Sequence, residues 1–211
     1  DVLEAKIYFG EKLVASIGSE FIENNGEDRK RQEGMNAEEI KQDCETKAFF
    51  RLAERIKKRF PRLPILLLAD SLYASKQVME LCREYKWEFL IRYKKGSIPS
   101  IAEEYEKIPE KGKTEKAEFV NEIDYEGKPV HVLRYREEKE GEITEFQWLC
   151  SIKISKENAE KMAEAGRKRW KIENEGFNRQ KNWQGDITHA CSWNDQSQKN
   201  HYLMEQISDF M

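Results

Sequence analysis

The stretch L-P-I-L-L-L-A-D-S-L-Y-A-S, from Leu63 to Ser75, decides how the rest of the chain is read. Leu63 and the unbroken apolar run Ile65 to Ala69 show no alternation, the pattern of a strand covered on both faces, as in the parallel part of an α/β sheet. The run ends on Asp70. Ligands and chemistry in α/β sheets sit beyond the carboxyl ends of the strands, so an acidic residue there is a candidate site residue. Asp followed by Ser is also an ordinary turn pair, and the local pattern by itself leaves both readings open.

Working outward, Ser75 is placed to cap a helix whose inward face is Val78, Met79, Leu81, Cys82 and Tyr85, and W-E-F-L-I-R-Y, Trp87 to Tyr93, returns as a strand. Strand, helix and strand in that order predict a right-handed crossover with the two strands parallel. Upstream, Ile40, Cys44, Ala48, Leu52, Ile56 and Phe60 recur every four residues, with Phe49 and Ala53 widening the stripe. Asn36 and Glu39 form a capping-box start, and Pro61 and Pro64 stop the helix. Residues 24–36 have a loop composition, and Val2 to Phe9 and Leu13 to Ile17 read as a hairpin. The chain starts at Asp1 and enters a strand at once, which predicts that an N-terminal portion precedes it.

Residues 94–152 leave this layout. A short polar helix is expected over 98–107, then strands at 117–124, 129–136 and 143–152, parted by Glu126-Gly127-Lys128 and an acidic turn from Glu137 to Glu142. These make a small antiparallel insertion. Ser155 is expected to cap a helix running to about Lys181, with Met162, Gly166, Trp170, Glu173 and Phe177 on its inward stripe. An inward carboxylate at Glu173 calls for a cationic partner, a metal or a raised pKa, because burying an unpaired charge is costly. Arg169, one turn earlier, offers an i,i+4 partner. A last helix is expected near Asp195 to Phe210.

With 38% hydrophobic and 36% charged residues over 211, the chain has enough apolar content for a real core, which excludes wholesale disorder. No apolar run reaches the roughly 20 residues of a membrane span and no signal peptide is evident, so the cytoplasm is the expected compartment. Cys44, Cys82, Cys150 and Cys191 form no C-x-x-C pair and read as buried free thiols. His189, Cys191 and His201 fit no metal spacing. The net charge of −3 gives no support to a nucleic-acid partner by itself. Its distribution is uneven: 51–62 carries six basic and one acidic residue, 161–183 seven against three, and 102–145 the reverse, fourteen acidic and eight basic. Such blocks are either solvated faces or partner surfaces.

Two carboxylates separated by a β-rich insertion, Asp70 in L-L-L-A-D-S-L-Y-A-S and Glu173 in R-W-K-I-E-N-E-G-F-N-R-Q-K, resemble the DDE transposases of bacterial insertion sequences. The resemblance spans nearly the whole chain. It implies an α/β fold: a ribonuclease H-like mixed sheet flanked by helices, with a small antiparallel β insertion ahead of the glutamate. It divides the chain into residues 1–93 and 153–211 as the two parts of the core and 94–152 as the insertion. Asp70 would be the second catalytic aspartate and Glu173 the catalytic glutamate, both metal ligands for two Mg²⁺ or Mn²⁺ ions. Hard cations of this kind require oxygen ligands. Arg169 and Lys181 would contact DNA. The implied activity is metal-dependent phosphodiester cleavage and strand transfer at transposon ends, with double-stranded DNA as partner, a homodimer bringing two ends together, and no membrane association. A metal-dependent nuclease of the same fold, or an inactive DNA-binding remnant, are the alternatives. The chain departs from the family pattern at Gly166, where a tyrosine is frequent, and at Gln180, where the family has lysine; Lys181 follows one position later, about 100° further around a helix. The family's first aspartate has no counterpart at Asp1 or Glu4 and is expected upstream.

Overall fold

The computed structural model describes residues 1–9, 13–22, 37–94, 96–139, 141–171, 192 and 194–210. They divide into two compact units, one formed by Asp1–Arg62 with Lys171–Met211 and the other by Leu63–Trp170. Architecture in both is α/β.

In the first unit, β1 (Val2–Phe9) and β2 (Leu13–Phe21) pair antiparallel, as the alternation predicted, with a bulge between Ala5 and Lys6. Helix α1 (Ala37–Arg59) buries Ala48, Phe49, Leu52, Ala53 and Ile56, which is the every-fourth-residue stripe read from the sequence. It lies close on β2, where a Cβ on Gly18 would stand 3.0 Å from Leu52 Cδ1. Arg51 and Arg55 of α1 clamp Glu20 of β2 at 2.5 and 2.6 Å, so part of the basic 51–62 block is tied into its own unit. The last helix, α5 (Asp195–Phe210), meets β2 as well, with Tyr202 edge-on to Phe21. Among the described residues, no helix is long and apolar enough to cross a membrane.

The second unit is one six-stranded mixed sheet. Strands β3 (Leu66–Ala69) and β4 (Glu88–Arg92) run parallel in the register Leu66↔Glu88 to Ala69↔Ile91, joined by the predicted crossover helix α2 (Lys76–Tyr85). Ser75 caps α2 by accepting from the Val78 N–H, and Val78, Met79 and Cys82 form its buried face. Helix α3 (Pro99–Lys107) follows, then β5 (Gly112–Lys113), β6 (Ala117–Tyr125), β7 (Lys128–Lys139) and β8 (Glu142–Cys150) in an antiparallel array. Glu126 and Gly127 both have positive φ, the geometry of the tight hairpin turn joining β6 to β7. Strand β8 pairs antiparallel with β4, so the sheet order is β3-β4-β8-β7-β6-β5 and the antiparallel strands continue β3 and β4 edge to edge.

Helix α4 (Ala159–Lys171) packs Ala159, Met162 and Ala163 against Leu90, Phe119, Leu133, Trp148 and Cys150. Cys82 and Cys150 are buried free thiols; burial pushes the Cys82 thiol up to about 12 and raises Cys150 as well. The side chains of Cys44 and Cys191 lie outside the described residues.

Several expectations need correction. Strand β3 is not buried along its whole length: Leu66 is 39% exposed and burial deepens along the strand to Ala69; among the described residues β3 pairs with β4 alone, at the edge of the sheet. The acidic run Glu137 to Glu142 is mostly strand, since Glu137↔Thr144 and Lys139↔Glu142 are paired and the turn shrinks to the positions around Gly141. Helix α4 begins at Ala159, after a turn in which the Asn158 carboxamide accepts from the Ser155 N–H. Trp170, expected on the inward stripe, is 64% exposed, because the packed part of α4 ends at Gly166 and the last turn runs past the core.

Candidate active site at the ends of β3 and β4

Because β3 and β4 are parallel with Ala69 opposite Ile91, Asp70, just past β3, and Arg92, the last residue of β4, come at the same end of the sheet. Asp70 starts a short 3-10 turn, Ser71–Tyr73, and caps it: Oδ1 accepts from the Leu72 N–H at 2.9 Å and from the Ser71 hydroxyl at 3.5 Å. The capping role that an Asp-Ser pair implies is therefore present. It occupies one oxygen. The other, Oδ2, faces the Arg169 guanidinium at 4.0 Å, and the Asp70 side chain is 47% exposed. An ion pair of that length at a half-exposed position contributes no more than about 1 kcal/mol to folding, so stability alone is a weak reason for it.

Arg169 lies on the last turn of α4, beyond the packed stretch that ends at Gly166. Arg92 supplies a second cation, and the residue pattern did not single it out. Burial lowers its proton affinity first and the neighbouring Arg169 lowers it further, while Asp70 and Glu145 oppose the shift. Arg92, Arg169 and Asp70 thus act on one another electrostatically at this end of the sheet, where Asp70 is half-exposed. The signal for Arg92 lies in the sequence: a parallel crossover places the final residues of both strands at one rim, and W-E-F-L-I-R-Y carries an arginine next to its end.

Asp70 and Arg169 are brought together; Glu173 and Lys181 lie outside the described residues. The donor chemistry of Asp70 fits a divalent ion, since Oδ2 is a hard oxygen turned away from the backbone cap. Among the described residues no three His, Cys, Asp or Glu side chains converge as a metal cluster. His201 instead faces Glu205 on α5 at 3.7 Å.

No curated protein and no solved structure gave a match to the chain. The family model of the Transposase DDE domain matches residues 42–204, which takes in β3, β4, the insertion and α4 with Asp70 at the strand end. The ribonuclease H-like character expected of the α/β sheet agrees with that match, and the chain belongs to the Transposase DDE domain family.

Proposed function

We propose that the chain is the catalytic domain of a bacterial insertion-sequence transposase that cleaves DNA at transposon ends and joins it to target DNA in a metal-dependent reaction. The observation that carries this reading is the meeting of Asp70 and Arg169, far apart in sequence, at the carboxyl rim of the parallel strands. In a family of DNA-rearranging enzymes, a carboxylate with guanidiniums at that rim is suited to hold a metal ion and a phosphate side by side.

Asp70 and Glu173 would hold the Mg²⁺ or Mn²⁺ ions, which when bound stabilise charge on the attacking and leaving oxygens of an in-line displacement. Arg169 and Arg92 orient the phosphate, and Lys181 adds a backbone contact. Guanidiniums grip phosphate oxygens through paired N–H donors and remain charged at any working pH. Before DNA arrives, Arg169 rests against Asp70; an incoming phosphate offers Arg169 an alternative partner and leaves the Asp70 oxygen for metal. Residues 1–93 and 153–211 serve as the core and 94–152 as the insertion, in a cytoplasmic homodimer that engages double-stranded DNA.

The test is cleavage and joining of a labelled transposon-end duplex with Mg²⁺ by the transposase as its genome encodes it. Asp70→Ala and Glu173→Gln each lower both steps by about 10³-fold or more, the order expected when a residue central to electrostatic stabilisation is lost. Full activity in either variant overturns the assignment, and cleavage without joining in the unsubstituted protein turns it to the nuclease reading.

A further inference from the structure

Arg92 feels the like charge of Arg169, and its place is set by contacts with other groups. What holds Arg92 lies on the insertion strand β8. Phe146 and Trp148 are two residues apart there and so share a face; their rings are stacked with centroids 5.9 Å apart and 12° between planes. Arg92 pairs with Trp148 across the β4–β8 ladder, and its guanidinium lies over both rings, 4.7 Å from the Phe146 centroid and 5.4 Å from that of Trp148. It donates to the Gln147 carbonyl at 3.4 Å and to the Glu145 carbonyl at 3.3 Å. The negative faces of the rings and two carbonyl dipoles offset the repulsion from Arg169.

The arrangement continues on the helix side. Arg167 of α4 lies 5.2 Å from the centroid of the same Phe146 ring and is ion-paired with Glu137 of β7. The α4 backbone approaches the indole so closely that a Cβ on Gly166 would stand 2.6 Å from Trp148 Nε1 and Cε2. Trp148 is therefore fixed by the helix behind it. With its ring plane set, the seat of Arg92 is set too. Three backbone elements, β4, β8 and α4, determine where one side chain ends.

We propose that the Phe146–Trp148 pair is the positioning element of this site: the insertion presents an aromatic shelf that holds Arg92 beside Arg169 and Asp70, directed at a DNA phosphate, with Gly166 giving the indole its room. This rests on the reading of the strand-end rim as a DNA site. The two residues act through Arg92 and touch no reacting atom. Preorganisation is the physical gain, since an arginine already confined to one seat loses less conformational freedom when the phosphate binds. A role for the insertion in tuning the core site follows from its edge-to-edge junction with β4.

The experiment is a double-mutant cycle read by the binding of a fluorescein-labelled duplex at fixed low salt, using the protein as encoded. The four forms are the unsubstituted protein, Arg92→Ala, Phe146→Leu and the double variant, with Phe146→Tyr as the rescue. Phe146→Leu keeps apolar volume and removes the ring, and Phe146→Met does the same should the leucine variant fail to fold. We expect Phe146→Leu to weaken the duplex about three- to tenfold, the range of a partly buried cation–π contact. Phe146→Tyr restores binding, and Phe146→Leu produces no added loss once Arg92 is alanine. An equal loss in both backgrounds overturns the proposal, because the ring then only supports the fold. So does unchanged binding of Phe146→Leu where Arg92→Ala weakens it. If Arg92→Ala itself has no effect, the underlying reading of the rim as a DNA site falls as well.

Discussion

In the hairpin unit, Glu4 and Lys6 of β1 have side chains 0% and 3% exposed, lie 3.7 Å apart, and Glu4 takes a hydrogen bond from the Tyr202 hydroxyl of α5. In the sheet unit, Asp70 stands half-exposed at a strand end with two arginines around it. Both are acid–base clusters where a strand meets a helix. The first is closed. Its charges face one another inside, and burial together with Glu4 raises the Tyr202 phenol far above its usual range. The second is open, its carboxylate half-exposed and 4.0 Å from the Arg169 guanidinium. A buried pair is an element of fold, whereas a half-exposed carboxylate and guanidinium at a strand end remain within reach of something that arrives later.

That contrast can be broken by measurement. Glu4→Ala leaves Lys6 buried without its carboxylate neighbour and should cost about 3–5 kcal/mol in urea unfolding, while Glu4→Leu combined with Lys6→Met should be neutral or stabilising. Asp70→Ala, by comparison, should lower stability by about 1 kcal/mol, the worth of a lost cap. If Asp70→Ala unfolds the sheet unit, or Glu4→Ala leaves melting unchanged, the division into closed and open clusters is wrong.

Next in size is the packing of the shelf. Gly166→Ala places a methyl group against the Trp148 indole and should destabilise by about 1–3 kcal/mol, seen as a lower denaturant midpoint with an unchanged slope. An unchanged midpoint would mean that α4 shifts freely away from β8.

The smallest effect belongs to His131 on β7, buried, with Nδ1 accepting from the Glu122 N–H at 3.1 Å. Burial is the main cause that lowers its pKa from 6.5, with Lys153 adding to it and Glu122 and Glu88 opposing. The neutral ring suits the fold, so its contribution is complete above about pH 6.5 and is lost as pH falls through the depressed folded value. Melting temperatures between pH 7.5 and 5 should fall less steeply in His131→Gln than in the unsubstituted protein; parallel curves would show that another group sets the slope.

Much of the architecture could be read from local pattern. The crossover around Ser75, the α1 stripe and the three long strands of the insertion follow from apolar period, a capping hydroxyl and Gly-containing turns, all of which act within a few residues. The misreadings concern partners from elsewhere in the chain. Leu66 looks buried because Leu-rich runs usually are, yet its exposure depends on what packs over the start of β3. Trp170 continues the helical stripe, but the core under it ends before it does. Asp70 was visible because its carboxylate interrupts an apolar run, and Arg169 because it lies in a motif. A lone arginine at the end of a strand is common and carries no local signal, and only the parallel register places Arg92 level with Asp70. Whether Glu173 and Lys181 complete the rim lies outside the described residues.

The pairing of β8 with β4 gives the insertion a mechanical property. A domain attached by flexible linkers can swing without disturbing its host, but here the connection is a run of interstrand hydrogen bonds ending at the residue pair Arg92 and Trp148. The hairpin of β7 and β8 is therefore joined to the rim through the sheet itself. A push on its outer tip, around Glu138 and Ile143, would be delivered as a tilt of β4 rather than absorbed at a hinge, so whatever touches the insertion from outside also leans on the arginine beside Asp70.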